Sequence, residues 1–258
     1  MEVAPLFAKK YGEGRPLFIL HGLFGMGDNW ATHAKLFAEQ GWEVHAIDQR
    51  NHGRSPQLPE HNYDAMVADL EAYMDTHGIE KATMLGHSMG GKTVMHFAVA
   101  RPARVEALIV VDIAPKSYPV HHQVYIDAMQ SLDFNTLSSR KEADELLAKT
   151  VFNEGIRQFF LKSLYRKTKD QFDFRFNLDV LADQIEFVGE ALEFGYYDAP
   201  TLFIAGAQSG YILPEDHQKI FEHFPQARIH TIEGAGHWVH AEAFEEFSTI
   251  VLEFLDSI

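Results

Sequence analysis

The stretch Ala82-Thr83-Met84-Leu85-Gly86-His87-Ser88-Met89-Gly90-Gly91 decides the fold: an apolar run reaches Leu85, a Gly-x-Ser-x-Gly pentapeptide follows, and an amphipathic helix pattern leaves from Gly91 toward Arg101. A strand that stops on a serine and turns at once into a helix predicts a sharp elbow that raises the hydroxyl above the edge of a sheet. Gly86, Gly90 and Gly91 relieve the crowding of such a turn, and the amides after Ser88 lie at a helix N-terminus, where partial positive charge collects. The pentapeptide alone is a weak signal in a chain with 18 glycines, since a Gly-rich turn with a capping serine also satisfies it. The flanking strand and helix make Ser88 a candidate nucleophile.

A reactive serine needs a base, an acid to orient the base, and donors for an oxyanion. Near the C-terminus, residues 227–233 read as a strand, Gly234-Ala235-Gly236-His237-Trp238 as the loop after it, and residues 244–254 as an amphipathic helix. That context singles out His237 as the base among 15 histidines, whose ordinary roles are packing and surface. The common place for the acid is the loop after the late strand Thr201-Leu202-Phe203-Ile204-Ala205-Gly206, but Ala207-Gln208-Ser209-Gly210-Tyr211 holds no carboxylate. Glu215 and Asp216 follow Pro214 and suit the first turn of a helix. The apolar run Ala107-Leu108-Ile109-Val110-Val111 instead ends on Asp112, a carboxylate at the tip of a buried parallel strand, where open α/β sheets bind ligands. Asp112 is therefore assigned as the acid; a turn or capping aspartate before Pro115 is the alternative. Pro16-Leu17-Phe18-Ile19-Leu20 is another apolar strand and leads into His21-Gly22-Leu23-Phe24-Gly25, so the oxyanion donors are expected to be the backbone amides of Leu23 and Met89.

Together with Asp48-Gln49-Arg50-Asn51-His52-Gly53-Arg54-Ser55, Asp112-Ile113-Ala114-Pro115 and Gly234-Ala235-Gly236-His237-Trp238-Val239-His240, these segments resemble the small bacterial esterases of the YbfF type, within the α/β-hydrolase superfamily. The resemblance runs over nearly the whole chain and is loosest in the middle, where residues 158–163 and 174–177 are still similar to the family's cap. It implies an α/β-hydrolase fold, with Ser88, Asp112 and His237 at the triad positions, and short acyl esters, with acyl-CoA thioesters in addition, as substrates. No cofactor or metal is expected. Readings from other classes on the same fold are a small-molecule receptor that keeps the triad, a C–C bond hydrolase, and a cofactorless oxygenase or perhydrolase.

A chain of 258 residues with 46% hydrophobic content can bury a large core, and its strands alternate with helices as in a doubly wound, mostly parallel sheet. The alternation stops between Lys116 and about Tyr196, predicting a core of residues 1–115 and 197–258 and an inserted helical cap of 116–196. Most of the cap's Phe134, Phe152, Phe159, Phe160, Phe172, Phe174, Phe176, Phe187 and Phe194 are expected to pack within it, the rest to line an acyl pocket. The net charge of −15 argues against nucleic acid or an anionic membrane surface as a partner and mildly against strongly anionic substrates such as CoA thioesters; the partner that the resemblance implies is a small-molecule acyl ester. No cysteine is present, and neither a signal peptide nor a transmembrane helix is read, so cytoplasm is the default location. His121-His122 reads as a solvated pair rather than a metal site, and residues 48–55 as structural turn and ion-pair chemistry. Composition leaves the oligomeric state open.

Overall fold

The computed structural model describes residues 2–169 and 171–258. Seven strands form one sheet: β1 (Ala8–Tyr11), β2 (Arg15–Leu20), β3 (Trp42–Ile47), β4 (Ala82–His87), β5 (Val105–Val111) and, after an insertion carrying a separate hairpin of β6 (Leu164–Arg166) and β7 (Phe172–Phe174), β8 (Thr201–Gly206) and β9 (Ala227–Ile232). Their order is β1-β3-β2-β4-β5-β8-β9; β1 runs antiparallel to β3 and every other neighbouring pair is parallel. The helices are α1 (Ala31–Glu39), α2 (Tyr63–Thr76) and α3 (Met89–Ala100), then α4 (Gln123–Gln130), α5 (Arg140–Leu147), α6 (Glu154–Ser163), α7 (Leu178–Asp183) and α8 (Ile185–Val188) in the insertion, then α9 (His217–His223), α10 (Val239–Glu242) and α11 (Phe244–Asp256).

Successive strand residues face opposite sides, so strands that are apolar throughout need cover on both faces. Leu17, Ile19, Ile109, Val111, Leu202 and Ile204 pack with α1 and α11 through Phe37, Phe247 and Val251. Phe18, Leu20, Leu108, Val110, Phe203 and Ala205 pack with α2, α3 and α9 through Leu70, Phe97 and Ile220. Each of these side chains other than Ala205 contributes about 1.5–3 kcal/mol on burial. This is the α/β-hydrolase architecture, with an inserted cap region over the ends of β2, β4 and β5.

The cap has its own core, in which Phe160, Phe172, Phe174 and Phe176 are buried with Ile126, Leu147 and Leu181, and Phe134 and Phe159 pack against it. Leu23, Phe24 and Met89 belong to the same cluster, so the cap rests on the loops that carry the expected oxyanion donors. Three of the phenylalanines depart from the expectation of internal packing: Phe152 and Phe194 are more than four-fifths exposed and Phe187 is also exposed. The hairpin β6–β7 replaces some of what the sequence predicts as helix, because three-residue strands are too short for period two to be told from period 3.6. At the root of the cap, the fully buried Lys92 of α3 donates its ammonium hydrogens to the carbonyls of Lys116 and Glu190, each at 2.5 Å, tying both ends of the insertion to the helix. Burial pushes that amine down to about 7.

Candidate active site

The elbow forms where β4 ends. Ser88 has φ 53° and ψ −119°, which costs about 1–3 kcal/mol for a residue with a Cβ, and α3 starts at the next residue. A Cβ on Gly86 would lie 2.2 Å from the Gly90 carbonyl oxygen, so the turn closes only with glycine there. The Ser88 amide donates to the Val111 carbonyl at 3.0 Å and locks the elbow to the tip of β5. Phe24, Asn51, Ser88 and Asp112 are the non-glycine residues of positive φ among those described, and all but Asn51 lie in or beside the site.

Asp112 follows β5 directly, has φ 51° and is fully buried. Its Oδ1 accepts the Gly206 amide at 3.0 Å; its Oδ2 accepts His237 Nδ1–H at 2.7 Å and also the Ser209 hydroxyl. The hydroxyl thus occupies the place after β8 where the sequence lacks a carboxylate. Gly206 permits the approach of the His237 loop, since a Cβ there would stand 2.2 Å from the Gly236 carbonyl oxygen. The Glu242 carboxylate accepts the amides of Gly236 and Trp238 at 2.7 and 3.3 Å. His87 Nε2–H donates to the His237 carbonyl at 2.8 Å, and the Tyr211 ring stacks on the imidazole at 3.9 Å with 17° between planes. Burial holds His87 well below the usual imidazole range and hence neutral, and burial with the Asp112 charge pushes Tyr211 up to about 12. With Nδ1–H given to Asp112, the neutral His237 ring keeps Nε2 as an acceptor.

The loop after β2 passes close to the elbow: a Cβ on Gly22 would lie 3.3 Å from Ser88 Cβ. Neither the Leu23 nor the Met89 amide donates to another described residue. Residues 48–55 brace this loop. His52 Nδ1–H donates to the Arg50 carbonyl at 2.9 Å, which leaves Nε2 to accept the Phe24 amide at 3.1 Å. His21 Nδ1–H donates to the Gly22 carbonyl at 2.8 Å, and its Nε2 accepts the Gln49 amide at 3.1 Å. Burial lowers His21 to about 4 and His52 to about 3, so both rings stay neutral and keep their acceptor nitrogens near pH 7. Beneath them Arg50 and Asp69 form a buried two-pronged ion pair at 2.6 and 2.7 Å.

Ser88 and His237 line one cavity of about 280 Å³, whose apolar lining includes Phe24, Tyr125, Ile156, Phe159, Phe160 and Trp238. His121, which is exposed, and His122, which is half-buried, also line it. The chain leaving β5 doubles back across the sheet edge; there His121 Nδ1–H donates to the Pro119 carbonyl, the other ring nitrogen meets the Tyr211 hydroxyl at 2.5 Å, and burial lowers His122 to about 3. Sequence reasoning missed the contacts of Ser209, Tyr211, His87 and His52; His87 lies inside the pentapeptide, and Ser209 at the usual acid position was the signal that could have found them. No helix among the described residues is long and apolar enough to cross a membrane.

An elbow serine and an imidazole bonded to a strand-tip carboxylate, both on the wall of one apolar cavity, define the serine hydrolases of the α/β type. The chain belongs to the alpha/beta hydrolase fold family, whose model matches residues 15–244. It is 39% identical over 250 residues to the mouse sn-1-specific diacylglycerol lipase ABHD11, covering 93% of this chain and 80% of the relative. To the esterase YbfF of Escherichia coli K12 it is 37% identical over 236 residues, 91% of either chain. A solved marine microorganism esterase superposes with a TM-score of 0.93 at 39% identity, covering 96% of this chain and 98% of the other. The protein is an enzyme, a serine-type esterase acting on small-molecule acyl esters.

Proposed function

We propose that Ser88 is the nucleophile, His237 the general base and acid, Asp112 the group that orients it, and the Leu23 and Met89 amides the oxyanion donors, in the hydrolysis of short-chain acyl esters. The observation that carries this reading is the 2.7 Å bond from His237 Nδ1 to buried Asp112, with Ser88 and His237 on the wall of one cavity. His237 Nε2 takes the hydroxyl proton as Ser88 Oγ bonds to the ester carbon, and the carbonyl oxygen becomes an anion held by the two amides. The C–O bond to the alcohol then breaks and the alcohol leaves with the proton from His237. Water, deprotonated by the same ring, releases the acid and restores Ser88. The cap is taken as residues 116–196 and the core as 1–115 and 197–258, supported by a packing cluster drawn mostly from the segment between β5 and β8, which rests on Leu23, Phe24, Tyr63, Met66 and Met89 of the core. No Lys or Arg is among the residues lining the cavity, which favours uncharged esters over CoA thioesters, whose phosphates need cationic partners.

Ser88→Ala is the test. It should lower kcat on p-nitrophenyl acetate by roughly five to six orders of magnitude, and a fluorophosphonate should label Ser88 in the wild type. A label on another serine rejects the assignment. Sustained turnover above about one per second separates an enzyme from a receptor on the same fold, which would stop after a single burst.

A further inference from the structure

Ser88 stands at the meeting of two cavities of very different size. Besides the large one, a second of about 20 Å³ opens at Ser88 and is lined by Met89, Ile113, Val120, Ile185 and Val188. Ser88, His121, His122 and Tyr211 line both, so the histidine pair and the tyrosine form the partition. His237 and Trp238 line only the large cavity, whereas Met89 lines only the small one.

Resting on the catalytic roles above, we propose that the small cavity is the acyl subsite and the large one the alcohol subsite, so that the enzyme selects acetyl-sized acyl groups carried on bulky apolar alcohols. At the tetrahedral carbon, the oxyanion is committed to the Leu23 and Met89 amides and one bond is to Ser88 Oγ. The leaving oxygen must take a proton from His237, which places the alcohol on the side that His237 lines. The remaining substituent, the acyl chain, is directed away from His237, toward Met89, Ile113 and Val188. A cavity needs about 10–15 Å³ to hold one water-sized group, so about 20 Å³ admits the methyl of an acetyl group and not the two further carbons of butyryl. The large cavity approaches the roughly 300 Å³ at which small-molecule sites begin. Its apolar walls should improve kcat/KM about fourfold for each methylene of the alcohol they bury.

The test is a pair of substrate series. With p-nitrophenol held constant, kcat/KM should fall at least tenfold from acetate to butyrate and further to octanoate. With acetate held constant, ethyl, butyl and hexyl esters, followed by acid release, should rise at least tenfold across the series. Val188→Ala and, at an exposed position of the same wall, Val120→Ala should each raise the butyrate-to-acetate ratio at least fivefold and leave the hexyl-to-ethyl ratio alone. Phe159→Ala should lower the hexyl-to-ethyl ratio and leave the acyl ratio alone. Octanoate turned over as well as acetate by the wild type, or an acyl ratio that follows Phe159 instead of Val188 and Val120, overturns the assignment. Val120 sits 40% exposed, so its variant reads the wall even where Val188→Ala unfolds. Ser88→Ala run on both series tells the two failures apart: rates that persist without the hydroxyl reject the catalytic reading, whereas Ser88-dependent rates with the wrong preferences reject only the subsites.

Discussion

Replacing Asp112 by Asn exchanges one carboxylate oxygen for a donor in a site where every contact is a donor already. Oδ1 faces the Gly206 amide at 3.0 Å, and Oδ2 faces His237 Nδ1 and the Ser209 hydroxyl. If the Asn oxygen keeps Gly206, its NH₂ meets Nδ1, which must give up its hydrogen; the proton then sits on Nε2, and the ring cannot accept from Ser88. The flipped amide keeps the useful tautomer but sets NH₂ against the immobile Gly206 N–H, an unsatisfied buried donor worth about 1–3 kcal/mol. At 1.36 kcal/mol per decade this leaves the competent tautomer reduced by roughly one to two decades. Loss of the negative charge beside the imidazolium supplies the rest of an expected fall of about four orders of magnitude in kcat. Asn tolerates the φ of 51° at this position, so the variant should fold. The assay is kcat on p-nitrophenyl acetate, with thermal unfolding as the check on folding. Asp216→Asn is the control, because Asp216 Oδ2 is spent on Lys116 Nζ at 2.6 Å and the Leu213 amide at 2.8 Å, and it should lose less than tenfold. The reverse ranking, or a folded Asp112→Asn that keeps a tenth of wild-type activity, refutes the reasoning.

Gly206→Ala should cost at least a hundredfold in kcat, since its Cβ would meet the Gly236 carbonyl oxygen at 2.2 Å and push His237 out of line, and a shift of about 1 Å is worth that much; unchanged kcat would show that the loop position does not matter. Acid should unfold the protein early. His21, His33 and His96 protonate only near 4 in the fold and His52 near 3, against about 6.5 in the unfolded chain, so below pH 6.5 the unfolded chain binds more protons and stability falls by about 1.4 kcal/mol per pH unit for each ring. Buried Asp48 and Asp69, whose carboxyls are raised by burial, oppose this but are outnumbered. The Tm should drop steeply between pH 6.5 and 5, and a Tm that is constant over that range contradicts the burial of neutral imidazoles.

Much of the site was legible in the sequence because its components sit at the ends of strands. Apolar runs that stop at Leu20, Leu85 and Val111, and the strand pattern that stops at Glu233, announce where loops begin, and the candidate residues placed beyond those ends all lie past the C-terminal ends of β2, β4, β5 and β9. Leu23, Ser88, Met89, Asp112 and His237 were named on that ground, and the strands begin and end within about two residues of where periodicity puts them. The short edge strand β1, with two lysines in four residues, and the hairpin of the cap carry too little pattern to be read. The sequence by itself therefore determined the type of each element and the residues that stand at its tip, because both follow from local periodicity and turn chemistry. Only the tertiary structure decided that Ser209 shares Asp112 Oδ2 with His237, that Tyr211 stacks on that ring, that His121 and His122 stand as a wall between the large cavity and the small one, and how large those cavities are. Such facts depend on β5 lying between β4 and β8 and on the cap folding back over them, and parallel pairing across nearly a hundred residues leaves no periodic trace in the chain.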